Sequence, residues 1–244
     1  MCAATRSLPV LFVTLVPLTL SAQDAKVETQ LLLAPEPGMQ YAISPKGLHV
    51  AGVVLRGSRQ VLVYDGADGP RFDQVLDLKN QGSGGKVAWS EDGSRYGYHG
   101  KLGQEYVIVV DGKEVSRGPW SAELQGQGRT PVFHLGFSPG AKHWYAVIET
   151  SPSGRQQWQM LLDGVAGPPS LGRFDPLFSP DGEHHTYLQQ LPTPSGPTRY
   201  ALIIDGKPAP YLAGDMQWTG DSKHLITKRP APGGNEDVLA DGSH

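Results

Sequence analysis

Two histidines in succession, His184 and His185, follow a Pro-Asp-Gly turn in the stretch FSPDGEHHTY at 178 to 187, and imidazoles close together in a chain are the usual start of a zinc site. A second set of chemistry-bearing side chains is spread along the sequence: Gln40, Lys86, His134, Asp175 and Asp215, each three residues ahead of a large apolar residue. An amide, an ammonium, an imidazole and two carboxylates gathered at one opening would make a ligand-binding site. Asp175 and Asp215 could alternatively act as a pair on a glycoside, one as general acid and the other as base or nucleophile. The elements that carry these residues decide between such readings.

The stretch around His184 recurs. ISPKGLH (43 to 49), WSEDGSR (89 to 95), FSPGAKH (137 to 143), FSPDGEH (178 to 184) and WTGDSKH (218 to 224) share an apolar anchor, a polar turn, and a basic or imidazole residue six places on. The anchors Ile43, Trp89, Phe137, Phe178 and Trp218 are 46, 48, 41 and 40 residues apart, a period that belongs to propellers and arrays. Each anchor is followed by an Asp-Gly, at Asp65, Asp111, Asp163, Asp205 and Asp241, and each Asp-Gly by its types suits a tight hairpin. The run before each is strand-like, with Leu62, Ile108, Met160, Leu202 and Val238 three residues ahead of the aspartate and apolar every time. That register marks a buried face. Two hairpins per repeat make four strands, one propeller blade.

The repeats resemble the WD40-like, TolB-type β-propeller repeats of exported bacterial proteins, through FSPDG at 178 to 182, VVDGK at 109 to 113 and IIDGK at 203 to 207. Repeats three and five depart from that pattern, with Gly140-Ala141 and Asp221-Ser222 in place of Asp-Gly. The fifth repeat stops after its Asp-Gly, while VETQLLLAP (27 to 35) offers a spare strand. The expectation is an all-β fold: a five-bladed β-propeller of four-stranded antiparallel blades, closed by that N-terminal strand to cover an open edge. Truncation of a longer propeller is the alternative.

In such a fold His184 takes the same blade position as His49, Arg95, His143 and His224, about 10 Å from its counterparts by sheet spacing. Two zinc ligands must each lie about 2 Å from the metal, so these residues cannot share one, and no metal or other cofactor is expected. The two kinds of turn fall on one rim, which is monotonous. The other rim carries SPSG (151 to 154), LPTPSGPT (191 to 198), QGSGG (81 to 85) and QGQGRT (125 to 130), and varied loops on a rigid scaffold are where function concentrates. The five polar residues Gln40, Lys86, His134, Asp175 and Asp215 start the inner strands on that rim and would ring a channel mouth.

Residues 1 to 22 carry one positive charge, the apolar run SLPVLFVTLVPLTL and then Ser21-Ala22, the form of a secretory signal peptide. Residues 23 to 244 then form a single domain. Removing the leader takes away Arg6 and no acid, moving the formal net charge from −3 to −4, and removes Cys2, the one cysteine. Without disulfides, the domain needs a core large enough to hold itself together. An acidic balance gives no footprint for nucleic acid. No Gly-x-Ser-x-Gly, His-Glu-x-x-His, P-loop or calcium-loop motif occurs. The reading is an exported, periplasmic or extracellular monomer that binds without catalysis, with no stable membrane insertion. A protein or peptide partner, which the resemblance implies, comes first. Carbohydrate is the alternative, with Trp120, Trp144 and Trp158 as stacking platforms, and glycoside hydrolysis by Asp175 and Asp215 is the third.

Overall fold

In the computed structural model the described residues are 39–78, 85–150, 155–193, 198–209, 215–230 and 236–241. The leader, the strand expected at 27 to 35 and the loop SPSG lie outside them. The five repeats fold into five antiparallel sheets in chain order. The first holds β1 (Gln40–Ile43), β2 (Val50–Arg56), β3 (Arg59–Tyr64) and β4 (Ala67–Phe72). The second holds β5 (Gln74–Val75), β6 (Ala88–Trp89), β7 (Tyr96–Leu102), β8 (Glu105–Val110) and β9 (Lys113–Pro119). A short helix, α1 (Ala122–Gly126), leads to the third, of β10 (Val132–Phe137), β11 (Trp144–Thr150), β12 (Gln157–Leu162) and β13 (Val165–Ala166). The fourth holds β14 (Leu177–Phe178), β15 (His185–Leu191), β16 (Arg199–Ile204) and β17 (Lys207–Pro208), and the fifth β18 (Met216–Trp218), β19 (Leu225–Pro230) and β20 (Glu236–Ala240).

Each sheet packs face to face on the next through its own apolar cluster. Leu62 and Phe72 of the first meet Val87, Tyr98 and Val109 of the second. Ile108 and Val110 meet Leu135, Trp144 and Ile148. Tyr145, Val147 and Met160 meet Phe174, Tyr187 and Ile203, and Leu202 meets Trp218 and Leu225. In the first four sheets the apolar residue three places before the Asp-Gly faces the following sheet, which is why Leu62, Ile108, Met160 and Leu202 are 0–2% exposed.

The fifth sheet overturns the expected closed ring of four-stranded blades. Among the described residues no sheet is closed on itself, the fifth has three strands, and the second has five, with β5 and β6 sharing one edge of β7. Val238, which by register should face a further sheet, is 55% exposed. Gln217 and Ala240 on the same face are exposed too. Val54, Val61 and Val63 on the first sheet's other side cluster with Met39 and with nothing from the fifth. The physical reason is the absence of any apolar cluster, among the described residues, joining first sheet to last. The architecture is an open, propeller-like series of five sheets. Among the described residues no helix is long and apolar enough to cross a membrane.

Candidate functional site

The rim that carries both kinds of turn is built from one clamp repeated five times. The aspartate of each Asp-Gly, or Asp-Gly-like, hairpin adopts φ between 45° and 51°, a left-handed value that Asp tolerates better than most residues. From there its two oxygens do two jobs. Oδ1 accepts a backbone N–H at the start of the second strand: Val50, Tyr96, Trp144, His185 and Leu225 in turn, at 2.9–3.1 Å. Oδ2 takes the ring nitrogen Nδ1 of His49, His143, His184 or His224 at 2.5–2.8 Å, or Arg95 Nε at 2.8 Å. A serine or threonine closes the turn, as when Ser179 Oγ accepts His184 N–H and donates to Asp181.

His184 and His185 therefore hold a hairpin together. His184 pairs with Asp205 and stacks on Trp218 at 5.5 Å, while His185 is buried. Among the described residues no group of three His, Cys, Asp or Glu is arranged to hold a metal. His224 is held above the ordinary imidazole value by Asp241, first through their hydrogen bond and then through its charge.

The opposite rim breaks the repeat, and the break centres on residues 119–131 between the second and third sheets. Trp120 is 8% exposed and packs with Leu76 and Leu124. Its Nε1 donates to the Arg129 carbonyl at 3.0 Å, and Ser121 caps α1 by accepting Leu124 N–H. Arg129 pairs with the buried Glu149. Recesses open on both sides of this plug. One, of 420 Å³, is walled by Tyr106, Pro119, Leu124 and Pro169 with Glu149, Gln157 and Gln159. The other, of 490 Å³, lies between Asp77, Lys101, Trp120, Gln125, Gln74 and Thr130.

Behind Thr130 sits His99, fully buried. Thr130 Oγ1 donates to the Val132 carbonyl at 2.7 Å, so its contact with His99 Nε2 at 3.2 Å requires the imidazole to donate. Nδ1 is then a bare acceptor, and among the described residues it has no partner. Burial, with Lys86 nearby, pushes this imidazole down to about 3 against the opposing pull of Asp77.

The five residues expected at a channel mouth are only partly brought together. Gln40 is the first residue of β1. His134 lies in β10, its Nε2 3.0 Å from Tyr145 Oη and its Nδ1 3.6 Å from Asp175 Oδ1; burial lowers its basicity and Asp175 opposes that. Asp175 and Asp215 lie in connections just before β14 and β18, and both are exposed. Neither sits in the desolvated setting that a glycosidase acid uses. Lys86 does not start a strand, because β5 occupies part of the β7 edge. It binds Asp77 Oδ1 at 2.9 Å and the Val75 carbonyl at 3.0 Å, beside the 490 Å³ recess. Trp120, Trp144 and Trp158 are 5–8% exposed and form core contacts, so none is a free stacking platform. Sequence reasoning passed over His99, Lys101 and Asp77. The signal that could have found them is the long link from Asp-Gly 65–66 to anchor Trp89, which carries an extra pairing segment.

No family model matches the sequence, and no curated protein does either. Among solved structures the chain is similar to TolB from Acinetobacter baumannii, at 11% identity and TM-score 0.34 over 91% of this chain and 56% of that one. It is similar to the β-propeller domain of the Trilobed protease from Pyrococcus furiosus, at 10% and 0.41 over 84% and 70%. It is also similar to the Cps50 (Swd1) β-propeller domain of Myceliophteria thermophila, at 11% and 0.32 over 80% and 64%. The chain thus spans little more than half of the TolB structure.

Proposed function

We propose that this chain is an exported, non-catalytic binding module that engages a protein or peptide partner with the rim bearing its irregular connections. The observation that carries this reading is the asymmetry of the two rims. On one, the Asp, His, Arg and Ser groups are consumed by the hairpin clamps. On the other, a buried plug holds two recesses open side by side. Concave, mixed polar and apolar sites on a rigid scaffold are the default for binding. Gln40, Lys86, His134, Asp175 and Asp215 are the candidate contacts at this rim's inner margin. The leader-like residues 1 to 22, a single domain over 23 to 244, a monomeric state and a periplasmic or extracellular location belong to the same proposal. The sequence resemblance to TolB-type repeats supports a partner in the cell envelope.

The test is a thermal-shift and titration screen against peptide and glycan libraries, because a ligand that binds only the folded state raises its melting temperature. It is run on wild type, on Gln125→Ala/Asp175→Ala at the irregular rim, and on Glu183→Ala/Lys223→Ala at the clamped rim. Peptide binding that is lost only in the first variant supports the reading. Binding of glycans alone, or loss only in the second variant, overturns it.

A further inference from the structure

The 490 Å³ recess has a charge pattern that selects its ligand. One ammonium, Lys101, and one carboxylate, Asp77, line it. That carboxylate is already taken by Lys86, just outside the recess, at 2.9 Å, whereas Lys101 has no carboxylate partner among the described residues. Its Nζ accepts nothing and donates to a neutral amide, Gln125 Oε1, at 3.0 Å, while lying 5.1 Å over the Trp120 ring. The amide is itself fixed, since Gln125 Nε2 donates to the Trp120 carbonyl and to Gln104 Oε1, both at 2.7 Å. Lys101 is therefore held, half-buried, with N–H bonds left over for an anion. The surrounding chain is acidic, at net −3, so this local surplus of positive charge is a departure from its background. Leu76 and the Trp120 edge give the recess an apolar wall.

We propose that this recess binds a carboxylate carried on an apolar stem, with Lys101 as its counter-ion. The inference rests on the rim proposed above and deepens it: the free C-terminus of a peptide partner is one source of such a group, and a small organic acid is the other. A carboxylate on Lys101 forms a charge-assisted hydrogen bond, stronger than the neutral amide contact it joins. The ammonium is already positioned over the indole, so little side-chain freedom is lost on binding.

The experiment titrates the protein with N-acetylated peptides ending in Leu as the free acid, with the same peptides as C-terminal amides, and with isovalerate. Wild type, Lys101→Gln, Lys101→Arg and the distant control Lys223→Gln are compared, with circular dichroism confirming each fold. The expected result is binding of the free acid, weakened about tenfold or more by Lys101→Gln, kept by Lys101→Arg and by Lys223→Gln, and absent for the amide. Isovalerate competing as well as the peptide assigns the site to small acids, and a clear preference for the peptide assigns it to C-termini. Equal binding of acid and amide, undiminished binding by Lys101→Gln, or no binding of any acid overturns the inference. Amide peptides that still bind, and lose binding in Gln125→Ala/Asp175→Ala, would overturn it while leaving the rim reading intact.

Discussion

His99 gives the fold a measurable acid sensitivity. Its imidazole is completely buried, donates through Nε2 to Thr130 and leaves Nδ1 without a partner among the described residues. Burial first, then Lys86, drives it down to about 3 from 6.5, with Asp77 pulling the other way. Because the folded value is depressed, the stability this neutral imidazole supports is complete above the unfolded value and is lost as the pH falls below it. At pH 5 the unfolded chain gains a proton that the folded chain does not, which removes about 2 kcal/mol relative to pH 7.5. His99→Gln supplies an amide donor for Thr130 and does not titrate. Urea unfolding of wild type and His99→Gln at pH 7.5 and pH 5 should show a pH loss about 2 kcal/mol larger in wild type. His134 and His185 are depressed by burial and act in the same direction, and His224 is raised by Asp241 and opposes them. All three are present in both proteins and cancel in the difference. Asp92, held down to about 2 by the Ser90 and Ser94 hydroxyls and the Ser94 N–H, titrates below this window. Equal pH losses in the two proteins would refute the burial argument.

Three further outcomes are expected. Asp205→Ala removes the acceptor for His185 N–H and the partner of His184 and should cost about 2 kcal/mol in urea unfolding, with Asp205→Asn closer to wild type because Asn keeps one acceptor and tolerates positive φ. Gly100→Ala would place a Cβ 2.6 Å from the Phe72 ring and 3.0 Å from the Gln74 carbonyl, so it should destabilise by about 1–3 kcal/mol and disturb the neighbouring recess. Leu202→Ala should cost about 2–5 kcal/mol, whereas Val238→Thr, at the equivalent register on the open fifth sheet, should stay within about 0.5 kcal/mol; a comparable cost at Val238 would mean that this face is covered.

The blade unit was legible because its signals are local and repeated. An anchor, a polar turn and an Asp-Gly at a near-constant period specify hairpins without reference to anything distant. The register of Leu62, Ile108, Met160 and Leu202 followed for the same reason. Closure was not legible, since it depends on whether the face of Val238 meets another sheet, and nothing in a five-residue strand encodes its neighbour. Nor did the repeat reveal its own clamp, although a histidine or arginine and an aspartate recur in every unit; their pairing spans 16 to 21 residues. The placement of Lys86 failed because counting back from Trp89 assumes a strand where the chain instead folds over β7. The tryptophans misled for a different reason. A ring type that stacks on ligands is also the type that best fills a gap between sheets, and only packing separates the two uses.

The division of labour between the rims follows from how each spends its hydrogen-bonding capacity. A clamp that uses both carboxylate oxygens and, in each unit, an imidazole nitrogen or the Arg95 guanidinium makes five hairpins rigid, and it leaves that rim few groups with which to discriminate a ligand. The irregular rim is made rigid by burial instead. Trp120, wedged between Leu76 and Leu124 with its N–H satisfied by Arg129, belongs to the class of side chain whose truncation costs about 3–5 kcal/mol, enough to fix a connection that has no strand partner. Apolar fixation of this kind leaves the polar groups of Lys101, Asp77, Gln74 and Gln157 turned toward the two recesses rather than toward one another as a clamp. A preordered surface that retains hydrogen-bonding capacity loses less entropy on association, which is the physical argument for placing recognition on this rim and structural support on the other.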